Sequence, residues 1–336
     1  MKAVGYKTPG PITGDASLVD IELPKPVPAG RDILVEVKAV SVNPVDYKVR
    51  LSTSPEADGW KVLGWDAAGV VHAAGPDATS FRPGDEVFYA GTITRPGTNA
   101  EFHLVDERIV GRKPNTLDWA EAAALPLTAL TAWEALFDRI DVTKPVPGAM
   151  LAVLIIGGAG GVGSMAIQIA RQRTDLTVIA TASRAETKAW VLSLGAHHVV
   201  DHTKPLTAQL ADLGITAPAF VFSTTHTDQH AAEIAELIAP QGRLGFIDDQ
   251  GLDIMLFKSK AVSIHPELMF TRSLYETPDI AEQGRILNDI AALVDEGSIR
   301  TTLTARLSPI NAANLERAHA LVESGAMKGK IVLEGF

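Results

Sequence analysis

The chain has 336 residues, 46% hydrophobic and 21% charged, with a formal net charge of −10 and no cysteine. This composition supports a buried core of about two domains, excludes disulfides, thiolate nucleophiles and sulfur-ligated zinc, and argues against a nucleic-acid surface, which needs clustered Lys and Arg. No stretch approaches the roughly 20 apolar residues that span a bilayer, and the N-terminus lacks the apolar core of a signal peptide, so no membrane partner is expected and the cytoplasm is the expected location.

Residues 1–126 carry short β-type runs, "DILVEVKAVSV", "AAGVVHAAG", "DEVFYAG" and "AEFHLVDE", separated by Pro and Gly clusters. They predict a compact, largely antiparallel β-domain. From Thr116, "TLDWAEAAALPLTALTAWEALFDRI" shows helical spacing, with Asp118 as a cap and Pro126 as a break, so two helices meeting at the proline are expected. From Met150 strands and helices alternate, through "MLAVLII", "LTVIATA", "AETKAWVLSLG", "HHVVDH", "AFVFSTT", "DQHAAEIAELIA" and "GRLGFID". Alternation with nearly continuous apolar strands predicts an α/β domain whose parallel sheet is covered on both faces. After "AVSIHPELMF" come a helix around 278–296, a strand "TTLTARL", a helix "NAANLERAHALVESG" and a last strand "KIVLEGF", so the chain leaves the α/β domain before it ends.

Gly158, Gly160 and Gly163 satisfy G-x-G-x-x-G between a predicted strand and a helix beginning at Gly161, the context in which the motif binds a dinucleotide. Val162, Met165, Ala166 and Ile169 share one helical face, as packing on a sheet requires. One glycine allows a tight turn, one lets backbone approach a pyrophosphate and one lets helix and strand pack closely, while free N–H groups at the helix start, including those of Gly161 and Val162, face the anion. An NAD site places an acidic residue about 20 positions further on to hold the ribose hydroxyls. Here "IATASRAETK" has Ala182 at that place, followed by Ser183, Arg184 and, a turn into the next helix, Lys188. A hydroxyl and two cations suit a 2′-phosphate, so NADPH is the expected cofactor.

Other constellations point to nothing. His226 and His230 have the spacing of H-E-x-x-H, but Thr227 follows the first histidine, and the segment reads as a helix start. His197 and His198 read as a strand entry, and Ser164 does not satisfy G-x-S-x-G.

The order of domains, with "SVNPVDYKVR", "VLGWDAAGVVHAAG", "RPGDEVF", "AAALPLTALTAWEAL", "GGAGGVGS" and "GKIVL", resembles the medium-chain dehydrogenase/reductase superfamily over essentially the whole chain. The likeness is to its quinone and enone oxidoreductase branch, and within that to proteins labelled zinc-type alcohol dehydrogenase-like. The resemblance implies a GroES-like β-rich catalytic domain over 1–126 and 272–336, and a Rossmann domain with a doubly wound parallel sheet over 127–271. It also implies a homodimer paired through the edge at "AVSIHPELMF". In zinc members the metal is held in the segments matching "VNPVD", "GWD" and "LTALTAW"; this chain offers Asn43, Trp65 and Leu127 there, which form no plausible ligand set. The segment "AGTITRPGTNAEF" is too short for the four-cysteine lobe of a structural zinc, so no metal is expected.

Without zinc, hydrogen-bond donors must stabilise the charge that develops on substrate oxygen, and a quinone or an α,β-unsaturated carbonyl, which spreads that charge, makes this feasible. The resemblance brings "NPVDYKVR" close to the nicotinamide, which makes Asn43, Tyr47 and Lys48 the candidate catalytic residues. The competing readings are a turn at Asn43–Pro44 fixed by Asp46, and a surface lysine at Lys48. By position, Thr131 is expected near the nicotinamide and Lys330 near the pyrophosphate. Trp65, Leu127, Met269 and Phe270 either line an apolar substrate pocket or belong to the core. The expected reaction is metal-free hydride transfer from NADPH to a small quinone or conjugated carbonyl. The alternatives are an alcohol or aldehyde reductase on the same fold and a non-catalytic NADPH-binding sensor or structural protein.

Overall fold

A computed structural model of the chain describes residues 1–12, 17–56 and 59–336. They form two units, Met1–Leu130 with Phe270–Phe336, and Thr131–Met269. The first unit opens with strands β1 (Lys2–Tyr6), β2 (Val19–Glu22) and β3 (Asp32–Ser41), helix α1 (Pro44–Ser52), and strands β4 (Lys61–Val62), β5 (Ala67–Ala74), β6 (Glu86–Tyr89), β7 (Phe102–Asp106) and β8 (Val110–Arg112). Helices α2 (Trp119–Ala123) and α3 (Pro126–Trp133) follow, capped by Asp118 and separated at Pro126 as the sequence predicts.

The second unit begins within α3, which runs on into a π-helical turn, Glu134–Arg139. Next come β9 (Met150–Ile156), α4 (Gly161–Arg173), β10 (Thr177–Thr181), α5 (Ala185–Ser193), β11 (His198–Val200), α6 (Leu206–Asp212), β12 (Pro218–Ser223), α7 (Thr227–Leu237), β13 (Arg243–Phe246), a 3₁₀ segment (Ile254–Lys260) and β14 (Ser263–Pro266). The strands form a parallel sheet in the order β11-β10-β9-β12-β13-β14. Leu154, Ile179, Val221 and Leu244 from its strands pack with Leu206, Ile234 and Phe257 from flanking elements into one buried cluster. Because both faces are covered, the strands carry no polar side to alternate with, which explains the continuous apolar runs. The strand order reverses between β9 and β12, and in such sheets the crevice at the carboxyl ends of those strands is the ligand site.

The chain then returns to the first unit with α8 (Thr271–Leu274), α9 (Glu282–Asp295), β15 (Leu303–Leu307), α10 (Ala312–Glu323) and β16 (Lys330–Glu334). One sheet there is β2-β1-β4; the other runs β15-β16-β3-β5-β6-β8, with β7 also pairing β3. Every pair is antiparallel except β15 with β16. β16 lies against the end of β3, with Val332 opposite Ser41 and the Val42 N–H bonded to Ile331 O at 3.2 Å. That pairing carries Lys330 from the end of the chain to the start of α1. No helix among the described residues is long and apolar enough to cross a membrane.

Candidate cofactor and active site

In the second unit, the glycine loop joins β9 to α4. Gly157, just outside the G-x-G-x-x-G triple, takes the left-handed φ of +79° that makes the tight turn, and a Cβ there would lie 2.2 Å from Thr224 Oγ1. The turn therefore belongs to a glycine that the motif does not count. Gly163 supplies the close packing, since a Cβ would lie 2.3 Å from Gly157 O. A Cβ on Gly158 would lie 2.8 Å from Ala180 Cβ of β10, whereas one on Gly160, the N-cap of α4, would meet nothing nearer than Gly157 O at 3.5 Å. Gly160 thus leaves open space where a Cβ would stand. Ser164 N–H bonds to Gly160 O at 2.9 Å, so the first-turn N–H groups of Gly161, Val162 and Gly163 have no intrahelical partner. Thr181 Oγ1 accepts the Gly157 N–H at 3.0 Å and ties the loop to the end of β10.

Past that end, Ala182 is buried, Ser183 is half-buried, and Arg184 is the exposed N-cap of α5. Arg184 lies 3.6 Å from Glu186, and Lys188 lies 3.4 Å from Asp201, which follows β11. Each of the two cations expected at a 2′-phosphate therefore has an acidic neighbour. Thr131 is buried on α3. Ser164 Oγ accepts the Trp190 indole N–H at 2.9 Å, a tie between α4 and α5, and His197 Nδ1 accepts the Val178 N–H at 2.9 Å beside the entry to β11. His226 is the N-cap of α7 with φ 52°, and no metal-binding group of His, Cys, Asp and Glu occurs among the described residues.

In the first unit, "NPVDYKVR" is not a bare turn but the start of α1, with Asn43 as N-cap and Pro44 at the first helical position, where its missing N–H costs nothing. Asp46 accepts the Asn43 backbone N–H at 2.7 Å. The Asn43 side chain is spent internally: Nδ2 donates to Asp66 Oδ2 at 2.7 Å and to Ser41 O at 3.4 Å, and Oδ1 accepts from Lys330 Nζ. Lys330 donates further to Val42 O at 3.0 Å and to Asp66 Oδ2 at 3.2 Å. An ammonium has three hydrogens, and all three are used. Two expectations are corrected here. Asn43 has no amide hydrogen left for a substrate, and Lys330 has none left for a pyrophosphate.

The centre of this cluster, Asp66, is fully buried, and sequence reading passed it over for its neighbour Trp65. Its Oδ1 accepts the Leu127 backbone N–H at 2.7 Å, holding the start of α3. Burial pushes the Asp66 carboxyl up and the Lys330 ammonium down, each opposed by the other's charge. Asp46 is pushed up to about 7, chiefly by burial.

Tyr47, by contrast, is half-buried and makes no hydrogen bond among the described residues, while Lys48 is exposed. Trp65 is 1% exposed, its indole N–H donates to Thr92 O at 3.1 Å, and its ring meets Phe270 edge-on at 6.3 Å between centroids. Leu127, Phe270 and, in the second unit, Met269 are buried as well. The polar atom of Trp65 is thus satisfied by backbone and its surface is enclosed.

Two family models match the chain, an alcohol dehydrogenase GroES-like domain over residues 29–115 and a zinc-binding dehydrogenase over residues 194–333. A zinc-type alcohol dehydrogenase-like protein of Staphylococcus aureus (strain MSSA476) is 41% identical over 338 residues, covering 99% of each chain. A crystal structure from Rhizobium etli CFN 42, of a protein named for the zinc-dependent alcohol dehydrogenases, is 77% identical with a TM-score of 0.98, covering 100% of this chain and 98% of that one. The quinone oxidoreductase of Coxiella burnetii is 26% identical with a TM-score of 0.81, covering 100% of this chain and 99% of that one. The two units and the glycine loop thus define a nicotinamide-dependent oxidoreductase. The chain belongs to the medium-chain dehydrogenase/reductase superfamily, among its zinc-type alcohol dehydrogenase-like members.

The residues present do not fit the zinc in those names. The three segments that would carry ligands supply an amide whose oxygen already accepts from an ammonium, an indole and an aliphatic side chain, and the carboxylate beside them is paired with that ammonium. The short loop in place of the four-cysteine lobe is held by Arg95, which grips Asp32 through two bonds of 2.8 Å, and by His103 Nε2 against Pro96 O at 3.0 Å.

Proposed function

We propose that the protein is an NADPH-dependent reductase of quinones or α,β-unsaturated carbonyls that works without a metal ion. The observation that carries this reading is the Lys330–Asp66 pair: the cation in the region of the absent zinc is already neutralised, so it cannot polarise a substrate carbonyl. A simple ketone would concentrate charge on one oxygen and call for such a Lewis acid, whereas a conjugated acceptor spreads it and can be served by ordinary donors.

Bound NADPH supplies the hydride. The chain's own part is to hold the pyrophosphate on the N–H groups of Gly161, Val162 and Gly163, and the 2′-phosphate through Ser183, Arg184 and Lys188. Tyr47, whose phenol has no hydrogen bond among the described residues, is the proton donor in this reading, and Lys48 one position on reaches the ribose or solvent. The test is a panel of 1,2-naphthoquinone, small enones, simple ketones and alcohols assayed with both coenzymes. The reading expects turnover of quinones and enones with NADPH; turnover confined to simple alcohols with NAD and added zinc would overturn it.

A further inference from the structure

The cluster at the start of α1 does more than exclude a metal. A zinc ion in this family would pull together the segments around Asn43, Trp65–Asp66 and Leu127, which are far apart in the chain. In this protein the same segments are joined without one. Asp66 Oδ2 takes Asn43 Nδ2 at 2.7 Å, Asp66 Oδ1 takes the Leu127 N–H at 2.7 Å, and Lys330 Nζ bridges Asn43 Oδ1, Asp66 Oδ2 and Val42 O. The four residues are buried, at 1% for Asn43, 0% for Asp66, 8% for Leu127 and 4% for Lys330.

From this geometry we infer that the Lys330 ammonium is a built-in replacement for the metal, a covalently tethered cation that fixes the N-termini of α1 and α3 by orienting Asn43 and Asp66. Three features support this. The ammonium is saturated by three oxygens, so it is held as an ion in a cage and does not swing as a surface lysine would. Among the described residues, Lys330 is the only cation paired with its carboxylate partner, Asp66. The amide of Asn43 accepts from the ammonium through Oδ1 and donates to the carboxylate through Nδ2, which fixes its flip.

Lys330 is on this account a positioning residue, and the claim concerns a cation rather than mere packing, so the test must separate the two. Lys330→Ala opens a hole with an unpaired carboxylate and is expected to lower the unfolding midpoint by about 10 °C. Methylammonium, which restores the missing charge and part of the missing volume, should raise the midpoint of Lys330→Ala while leaving the wild-type protein unmoved. An uncharged amide of similar size should not. Asp66→Asn combined with Lys330→Met, which removes both charges, should be clearly more stable than either single variant. Equal losses in the single and double variants, or rescue by the neutral amide as good as by methylammonium, would overturn the inference.

If Lys330→Ala does not fold, the wild-type protein still decides. Titrated with Co²⁺, it should show no ligand-field absorption band from a tetrahedral site and no rise in unfolding midpoint. A stoichiometric band with thermal stabilisation would show that a metal can take the place assigned to the ammonium, and the inference would fall.

Discussion

Glu134, at the head of the π-helical turn, and Glu267, just past the edge strand β14, are both buried in the second unit, and the charge of Glu134 bears on the Glu267 carboxyl. The neighbouring carboxyl of Glu134 opposes ionisation of Glu267, and Arg139 Nε at 2.7 Å from Glu267 Oε2 offsets part of that. Burial first and Glu134 second push Glu267 up to about 8. Around the pair, His265 of β14 is held below the ordinary histidine range by burial and by Arg243 and Arg139, so it adds no positive charge near neutrality.

The pH dependence of stability follows. With Glu267 at about 8 in the native state and near 4.5 when unfolded, the native chain holds a proton that the unfolded chain releases across that window. Stability from this group is complete below the unfolded value and is lost as pH rises through the native one. Denaturant unfolding at several pH values should show stability falling by a few kcal/mol toward pH ~8, with a flatter profile in Glu267→Gln. An unchanged slope in that variant would place the titration elsewhere.

Coenzyme choice is predicted to rest on Arg184 and Lys188. Loss of a charge-assisted hydrogen bond of about 1.5–3 kcal/mol corresponds to roughly ten- to hundredfold. Arg184→Ala and Lys188→Ala should therefore each raise the KM for NADPH about tenfold or more while leaving that for NADH nearly unchanged. Ala182→Asp should favour NADH, because a carboxylate at the end of β10 repels the 2′-phosphate and accepts from the ribose hydroxyls. Equal effects on both coenzymes would argue that these residues do not touch the phosphate.

Gly163→Ala should damage the loop from within. Its Cβ would lie 2.3 Å from Gly157 O and 2.7 Å from Gly158 Cα, both backbone atoms that cannot step aside alone. A destabilisation of about 1–3 kcal/mol with weaker coenzyme binding is expected, measured by thermal unfolding and fluorescence titration. The same change at Gly160, where no atom lies closer than 3.5 Å, should be milder in the coenzyme-free protein.

Tyr47→Phe removes a half-buried phenol that has no hydrogen-bond partner among the described residues, so its unfolding midpoint should stay near that of the wild type. If the phenol donates the proton, kcat should fall about 10²-fold or more with little change in the KM for coenzyme. An unaltered kcat would transfer the proton donation to solvent.

Much of the second unit was legible because buried parallel strands write themselves as unbroken apolar runs, as in "MLAVLII" and "AFVFSTT", and because the glycine loop sits between a strand and a helix. The first unit was legible only in outline. Helix α1 was hidden behind Asn43–Pro44, which reads equally as a turn, and the two-residue β4 is too short to leave a periodic pattern. The cluster around Asp66 was not legible as a cluster. An acidic residue inside "VLGWDAAGVV" does signal a buried charge in need of a partner, and "TAWEALF" and "IHPELMF" carry the same signal for Glu134 and Glu267. The partner, however, is set by the tertiary fold: Lys330 is 264 positions from Asp66, and nothing local in "KGKIVL" points to it.

The central claim is reduction of a conjugated acceptor by NADPH with no metal taking part. Its most direct measurement is the initial rate of NADPH oxidation with 1,2-naphthoquinone before and after exhaustive chelation, with zinc then added back. The account predicts one rate throughout. A rate that falls to background on chelation and returns with zinc would contradict it.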